Sequence, residues 1–394
     1  MDRFIITTEV AFGDDVRPET LARLKRVLEP ERCFAAWDGD DLVGAGANYT
    51  FTLAIPGGSI PAAGVTMIGV LPTHRRRGIL TKIMDALTED AVARGEHVAI
   101  LWASESGIYQ RFGYGLATKQ LHLEAEKKAL VWLDDKPMRS RGRFLSEDET
   151  FKTLPEIYDR IQPGTPGFYV RTPEWWRSHR ILDEEHHREG KGPMHRVALE
   201  LDGRAEAYAL YRSEHVWNDV PRNKLHVIEA LGTTDEATRE IWKYLFTVDL
   251  VETVTTWWLP IDHPLLLMVA EPPRLGLKVM NDLWLRIIDV EGAIGARSYA
   301  AEDSIVLDIA DPGRPANAGR WRVDSNGSTP MVARTEDAAD LQLSIADLGA
   351  LYLGGSTMTQ LLAAGRGREL TPGVAARVDA LFLTPRAPYC TEIF

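Results

Sequence analysis

The sequence predicts an α+β protein of mixed α/β character, built in three parts. Three observations point there. An apolar, β-branched run from Val65 to Val70 breaks into a basic turn and then becomes a helix. The order of elements around that turn returns between His195 and Leu259. From Leu283 onwards, strand-like segments give way to helical ones. With 394 residues and 45% hydrophobic content, the chain can bury cores for two or three domains.

In the first part, Leu21, Leu24, Val27 and Leu28 recur at helical spacing, so Pro18 to Leu28 reads as the first helix. Cys33 to Trp37 and Leu42 to Ile55 read as strands around the hairpin-type turn Asp38-Gly39-Asp40. Gly44-Ala45-Gly46 lacks the third glycine and the following helix of a dinucleotide-binding turn. After the strand Val65 to Val70, the helix marked by Leu80, Ile83, Met84 and Leu87 runs to about Arg94. Strands at Val98 to Trp102 and near Leu116 to Glu124 complete this part.

A charged stretch with Pro137 and Gly142, from Asp134 to Ser146, reads as an interdomain crossover. Beyond it the spacing predicts a helix over Phe151 to Ile161 and a hairpin of His195 to Leu201 and Ala205 to Arg212 around Asp202-Gly203. A strand at Lys224 to Leu231, a helix at Asp235 to Leu250 and a strand at Thr253 to Leu259 follow. In the third part, Leu283 to Val290, Ser304 to Ile309 and Gly319 to Asp324 read as strands, with turns at Asp311-Pro312-Gly313 and Ser325-Asn326-Gly327. Ile345 to Tyr352, Met358 to Ala364 and Pro372 to Leu383 read as helices. The expected domains are 1–133, 134–285 and 286–394.

The turn carries the first functional signal. A strand, a basic turn and a helix start aim unpaired backbone N–H groups and a helix dipole at one point, where an anion can sit. Gly78 permits close approach, and Arg75, Arg76 and Arg77 add charge. Alone, the turn reads equally well as a solvated basic loop. At the corresponding place the second part reads Ala230-Leu-Gly-Thr-Thr-Asp-Glu, with Asp235 and Glu236 at the helix start. Carboxylates there cap a helix and repel a phosphate, so the second part reads as a degenerate copy that binds no coenzyme. Trp175, Trp176, Trp242, Trp257 and Trp258 read as core or domain-contact residues.

A net charge of −12 disfavours nucleic acid and favours cationic partners such as amines. Cys33 and Cys390 are too few for a disulfide framework or a cysteine metal site, and no apolar run can span a bilayer, so a cytoplasmic protein without a membrane partner is expected. His186-His187, with His179 and His195, lacks a zinc-type spacing and sits in a charged run read as a solvated helix end, so no metal is expected. His74 is expected to shape the turn. No Gly-x-Ser-x-Gly elbow supports a serine hydrolase.

Arg75-Arg-Arg-Gly78-Ile-Leu80, followed after the next strand by Ala103-Ser-Glu-Ser-Gly-Ile-Tyr-Gln-Arg-Phe-Gly-Tyr-Gly115, resembles the GNAT acetyltransferases, with Leu80 standing where Gly or Ala is usual. The third part resembles a sterol-carrier-protein-like domain. Two tandem GNAT-like domains, the second degenerate, and a sterol-carrier-like domain form the plan of the enhanced intracellular survival (Eis) family of N-acetyltransferases. The resemblance covers essentially the whole chain and includes Leu283-Trp-Leu-Arg286, Ala350-Leu-Tyr-Leu-Gly354 and the terminal phenylalanine. It implies a homohexamer and acetyl-CoA bound by Ile68, Gly69 and Val70, by Arg75, Arg76, Arg77, Gly78, Ile79, Leu80 and Thr81, and near Tyr109 and Gln110. The implied acceptors are primary amines of polycationic molecules, aminoglycoside-like compounds or protein lysine side chains.

Amine acetylation needs a neutral attacking nitrogen, an oxyanion stabiliser and a proton for the departing thiolate. A tyrosine with an ordinary pKa of ~10 can protonate a thiolate of pKa ~8.5 if positioned or made more acidic. Tyr109 and Tyr114 compete for that role. Many GNAT enzymes use a tyrosine in the place of Tyr109, whereas the Eis resemblance assigns the acid to Tyr114 and leaves Tyr109 as packing beside the coenzyme. The resemblance makes the C-terminal carboxylate of Phe394 the base. An α-carboxyl with a pKa of only ~3.5 is a weak base unless buried, so it orients the amine more readily than it deprotonates it. Phe12 and Asp14 match a substrate-contacting stretch, and Glu392 offers a further negative charge, although the position before the terminal residue, acidic in related proteins, is Ile393 here. Two rival readings are a non-catalytic lipid- or protein-binding scaffold with an inert transferase domain, and an aminoacyl transferase using charged tRNA, which the acidic balance disfavours.

Overall fold

In a computed structural model that describes residues 1–325 and 330–394, the chain forms three main sheets. Asn326 and Gly327 of the expected third-part turn lie outside the described residues. The first part holds α1 (Asp2–Phe12), α2 (Pro18–Val27), β1 (Cys33–Asp38), β2 (Asp41–Ile55), β3 (Gly58–Val70), α3 (Ile79–Ala93), β4 (Val98–Trp102), α4 (Ser106–Tyr109), β5 (Gly115–Leu116) and β6 (Lys119–Glu126). The second holds β7 (Arg141–Phe144), α5 (Glu147–Ile161), α6 (Pro173–Trp175), β8 (His195–Leu201), β9 (Arg204–Glu214), the small hairpin β10 (Trp217–Asn218) and β11 (Val220–Pro221), and β12 (Asn223–Gly232). It continues with α7 (Asp235–Leu245), β13 (Val251–Pro260), α8 (Leu265–Met268), β14 (Lys278–Asn281) and β15 (Leu283–Ile287). The third holds α9 (Val290–Ala296), β16 (Asp303–Ala310), β17 (Gly319–Ser325), β18 (Met331–Arg334), β19 (Leu341–Ser344), α10 (Ile345–Tyr352), α11 (Met358–Ala363), β20 (Arg368–Glu369) and α12 (Val374–Phe382).

The mixed α/β class is as expected, but the sheets do not follow contiguous segments. The first runs β1-β2-β3-β4-β15-β5, the second β14-β6-β13-β12-β9-β8-β7, and the third β18-β17-β16-β19-β20. β6, expected within the first domain, pairs antiparallel with β13 and β14 of the second sheet. β15, expected to open the third part, lies between β4 and β5 of the first, with Leu283 opposite Trp102 and Trp284 opposite Leu116. The expected division near residues 133 and 285 therefore leaves each of the first two sheets one strand short. Period-2 apolar patterning marks a strand without naming its partner, so this exchange has no local signal. The single strand expected over Leu116 to Glu124 is split accordingly between β5 and β6.

α1 was not expected, because Phe4-Ile-Ile-Thr-Thr has weak helix propensity. Tertiary packing overrides that: Phe4, Ile5 and Thr8 are buried, and the helix lies against the end of β3, where a side chain at Gly69 would meet Ala11. Gly44 and Gly46 also find their reason in packing. A Cβ at Gly46 would fall 2.5 Å from Ile83 and 2.8 Å from Ile68, so these glycines let α3 settle on β2.

Candidate active site

β3 and β4 pair in parallel only from Ala62 opposite Val98 to Gly64 opposite Ile100. Beyond that point β3 pairs with β2, and Leu101 and Trp102 of β4 pair with β15. A bulge opposite Ala45–Ala47, with Met67 in the left-handed region at φ 55°, bends the end of β3 away. The two strands thus open into a wedge, with Ile68, Gly69 and Val70 on one side.

The basic turn stands at the mouth of this wedge. Pro72–His74 forms one 3₁₀ turn, Arg76 sits at φ 62° and Gly78 at φ 77°, and α3 begins at Ile79 with no side-chain cap. The first N–H groups of that helix are therefore free of a capping side chain, and nothing lies within 4 Å of where a Gly78 Cβ would be. The arginines are not equivalent. Arg75 donates to the carbonyls of Val70 and Ala11, at 3.4 and 3.3 Å, tying the end of α1 to the turn. Arg77 donates to Thr73 O and faces Asp38 at 3.7 Å. His74, expected to shape the turn, does so between Thr73 Oγ1 at 2.8 Å and Asp38 at 3.2 Å. Arg76 is exposed and, among the described residues, has no ion-pair partner. Leu80 is half-buried and Thr81 exposed on the first turn of α3.

Tyr109 and Tyr114 meet in the core beside β4, their rings 6.1 Å apart and edge to face. Both pack in one cluster with Val65, Leu101 and Trp284. Burial, helped by the charge of Glu105, pushes the Tyr109 phenol up to about 12. Burial raises Tyr114 further, against the opposing charge of Arg286. Arg286, from the exchanged strand β15, donates to Phe112 O and pairs with Asp311 at 3.2 Å. Its guanidinium fills the space a side chain at Gly113 would need, and Gly113 has φ 83°. Gln110 is exposed at the rim.

The last residues are docked rather than frayed. The Phe394 ring packs edge to face on Phe51 and Tyr169, at centroid distances of 5.0 and 5.6 Å. Glu392, expected to offer a negative charge near the substrate, is 3% exposed. Its oxygens take Arg171 Nε and Trp175 Nε1, the latter at 2.8 Å, with Arg180 at 3.2 Å. Burial would raise its carboxyl, but Arg171 and Arg180 outweigh this and hold it low. Arg171 also grips the buried Glu229 through two nitrogens at 2.7 and 3.1 Å, and Glu229 is held down to about 2 against its burial by Arg171 and Arg180. Phe12 ends α1 with 53% exposure, and Asp14, also exposed, follows it, close enough to Glu9 to raise that carboxyl alongside burial.

Arg286, Arg171 and Arg180 were missed as site residues; Glu229 had a signal, a lone acid within the apolar run Val227-Ile-Glu-Ala-Leu. Away from the wedge, ligand atoms of Glu184, His186 and His187 lie within 4.8 Å of one another. Burial, then the charge of Arg23, pushes His187 down to about 4.

Residues 1–117 and 167–287 match two acetyltransferase (GNAT) domain families, and residues 290–391 match a sterol carrier protein domain family. The fold and the wedge thus define a tandem GNAT acetyltransferase, a class that uses acetyl-CoA as co-substrate. The chain is 37% identical to an uncharacterized N-acetyltransferase of Streptomyces avermitilis, over 98% of this chain and 95% of the relative. It is 32% identical to N-acetyltransferase Eis of Mycobacterium bovis, over 94% and 92% of the two chains. The crystal structure of Eis1 from Mycobacterium abscessus superposes with a TM-score of 0.87 at 32% identity, covering 100% of this chain and 97% of that one. The chain belongs to the Eis family of N-acetyltransferases.

Proposed function

We propose that this enzyme transfers acetyl from acetyl-CoA directly to primary amines of polycationic acceptors, aminoglycoside-like molecules or lysine side chains. The observation that carries this reading is the wedge itself: a helix N-terminus without a side-chain cap and the exposed Arg76 at its mouth, with two buried tyrosines beside β4. The turn Arg75–Thr81 takes the pyrophosphate, Ile68–Val70 lies along the coenzyme's arm, and Tyr109 and Gln110 stand beside it. Space around Gly78 suits that ligand.

In this reading the neutral acceptor nitrogen attacks the thioester carbonyl, the tetrahedral intermediate gives its N–H proton to the Phe394 carboxylate or to solvent, and its collapse breaks the C–S bond as Tyr114 gives its proton to the leaving sulfur. Burial weakens the phenol as an acid, and the same desolvation makes the thiolate a stronger base, so the transfer stays close to balanced. Arg286 stabilises the phenolate left behind. The Phe394 carboxylate orients the acceptor amine, and exposed Phe12 and Asp14 contribute to its recognition. The net charge of −12 draws polycations to the enzyme. We place the protein in the cytoplasm as a homohexamer, by family resemblance; among the described residues, no helix is long and apolar enough to cross a membrane.

The test is a coenzyme-release assay across a panel of aminoglycosides, polyamines and lysine peptides. Turnover with polycationic amines is expected. Tight acetyl-CoA binding without turnover on any of them would overturn the acceptor class.

A further inference from the structure

The second domain retains the architecture of the coenzyme wedge. β12 and β13 pair in parallel only as far as Val227 opposite Thr256, and then part. A bulge at Ile228, between the pairs Val227–Tyr211 and Glu229–Leu210, repeats the bulge of β3. A helix, α7, follows the diverging strand as α3 follows β3. The charge at the helix start is reversed. Where the first domain presents arginines, the second presents Asp235 and Glu236 on a helix already capped by Thr234.

The chain's own C-terminal segment meets this reversed charge. Arg386 pairs with Asp235, and the Ala387 amide donates to Asp262 Oδ2 at 2.9 Å. The Tyr389 amide donates to Pro166 O at 3.2 Å, and its ring packs on Phe168 with centroids 5.0 Å apart. Gly167, at φ 101°, makes room: a Cβ there would lie 2.5 Å from Tyr389 O. Arg386, Ala387 and Tyr389 wall one side of a cavity of 290 Å³, whose other side is the end of β12 and the start of α7. Farther along, Thr391 Oγ1 donates to Glu229 at 2.8 Å, Arg180 donates to Thr391 O, and Glu392 closes the network with Arg171 and Arg180. Two buried arginines thus face two buried carboxylates, so the charges of this anchor cancel.

We propose that the second GNAT domain has become the receptor for the chain's own C-terminal tail. A segment that sets Arg386 against the acidic helix start walls the cleft that corresponds to the coenzyme cleft of the first domain, and Arg171, Arg180 and Glu229 act as positioning residues for the Phe394 carboxylate. This rests on the reading of that carboxylate as a participant in transfer. It gives the degenerate domain a task, because reversing the charge at one helix start exchanges an anionic ligand for a basic one.

Hydrogen exchange on the full chain, read together with steady-state kinetics, tests it. In the unaltered protein the hydrogen-bonded amides of Ala387, Tyr389 and Cys390 are expected to exchange as slowly as those of β12. Asp235→Arg is expected to speed exchange at 387–389 at least tenfold, and Arg386→Asp added to it restores protection. Glu392→Gln is expected to lower kcat at least tenfold with the acetyl-CoA KM within twofold. Exchange in β3 and β4, measured in the same spectra, reports whether each variant is folded; if Glu392→Gln does not fold, Arg386→Ala, at an exposed pair, takes its place with the same expected loosening of 387–389. Tail amides that exchange like free chain in the unaltered protein, or that stay protected in Asp235→Arg, overturn the receptor. A loosened tail with unchanged kcat upholds the receptor and overturns the catalytic reading of Phe394.

Discussion

Replacing Tyr114 by phenylalanine tests the proposed proton donor apart from its surroundings. The ring is 1% exposed and packs in the cluster that holds Val65, Leu101 and Trp284, so phenylalanine keeps the buried volume. Burial and neighbouring charge set the acidity of this phenol, with no hydrogen bond contributing to it, so losing the hydroxyl is expected to change stability by less than about 1 kcal/mol. A positioned general acid contributes roughly 10²–10⁴ in rate, about 3–5 kcal/mol of barrier. Tyr114→Phe should therefore lower kcat by at least a hundredfold with little effect on the acetyl-CoA KM. The raised pKa keeps the phenol protonated throughout pH 6–9. The variant is accordingly expected to lower the whole pH–rate curve without moving its limbs, because the acceptor amine, which must lose its proton, sets the rise towards alkaline pH. Tyr109→Phe, altering a phenol pushed up to about 12 and 7% exposed, should cost less than tenfold. A thiol-release assay from pH 6 to 9 on both variants decides. A larger loss in Tyr109→Phe, or losses within threefold of each other, would refute the assignment.

Three further predictions concern the turn, the tail and their support. Arg76→Gly should relieve a left-handed backbone worth about 1 kcal/mol and so raise the melting temperature, while raising the acetyl-CoA KM about tenfold through the lost phosphate contact; an unchanged KM would show that the side chain does not reach the coenzyme. Extending the chain past Phe394 by a few residues replaces the terminal carboxylate with a peptide bond and is expected to abolish turnover while acetyl-CoA binding persists; full activity would rule the carboxylate out. Asp282 accepts Thr118 Oγ1 at 2.7 Å and the Cys390 amide at 2.8 Å, and burial pushes it up to about 7 despite those bonds. Between the unfolded value of ~3.9 and that folded value, the native state holds a proton the unfolded chain has lost, so this contribution is complete below about pH 4 and is lost as pH rises through 7, by up to roughly 4 kcal/mol. Asp282→Asn should flatten the fall in unfolding free energy between about pH 4 and 7, and parallel denaturation curves for the two proteins would contradict this.

Features that depend on near neighbours in the chain were legible without coordinates. The strand, basic turn and helix at Val65 to Thr81 are set by β-branched residues, the backbone freedom of Gly78 and apolar spacing at 3.6 residues. The reversed charge at Asp235 and Glu236 was equally plain, because capping is a matter of a few consecutive residues. Family motifs carried Tyr114 and Phe394 into view as candidates. The distinction among the three arginines was not legible, since it depends on Ala11, Val70 and Asp38, brought to the turn by other elements.

What the sequence by itself determined is therefore a set of local devices: a basic helix start, its acidic counterpart, a tyrosine pair, and the succession of three parts. Tertiary structure alone decided that β6 and β15 change sheets, that Arg286 on the exchanged strand lies near Tyr114, and that Glu392 is consumed by Arg171 and Arg180 more than two hundred residues earlier. The physical reason is common to all three. A side chain's period shows which face it occupies but not what will cover that face, and a buried charge finds its partner only once the whole chain has excluded water around both.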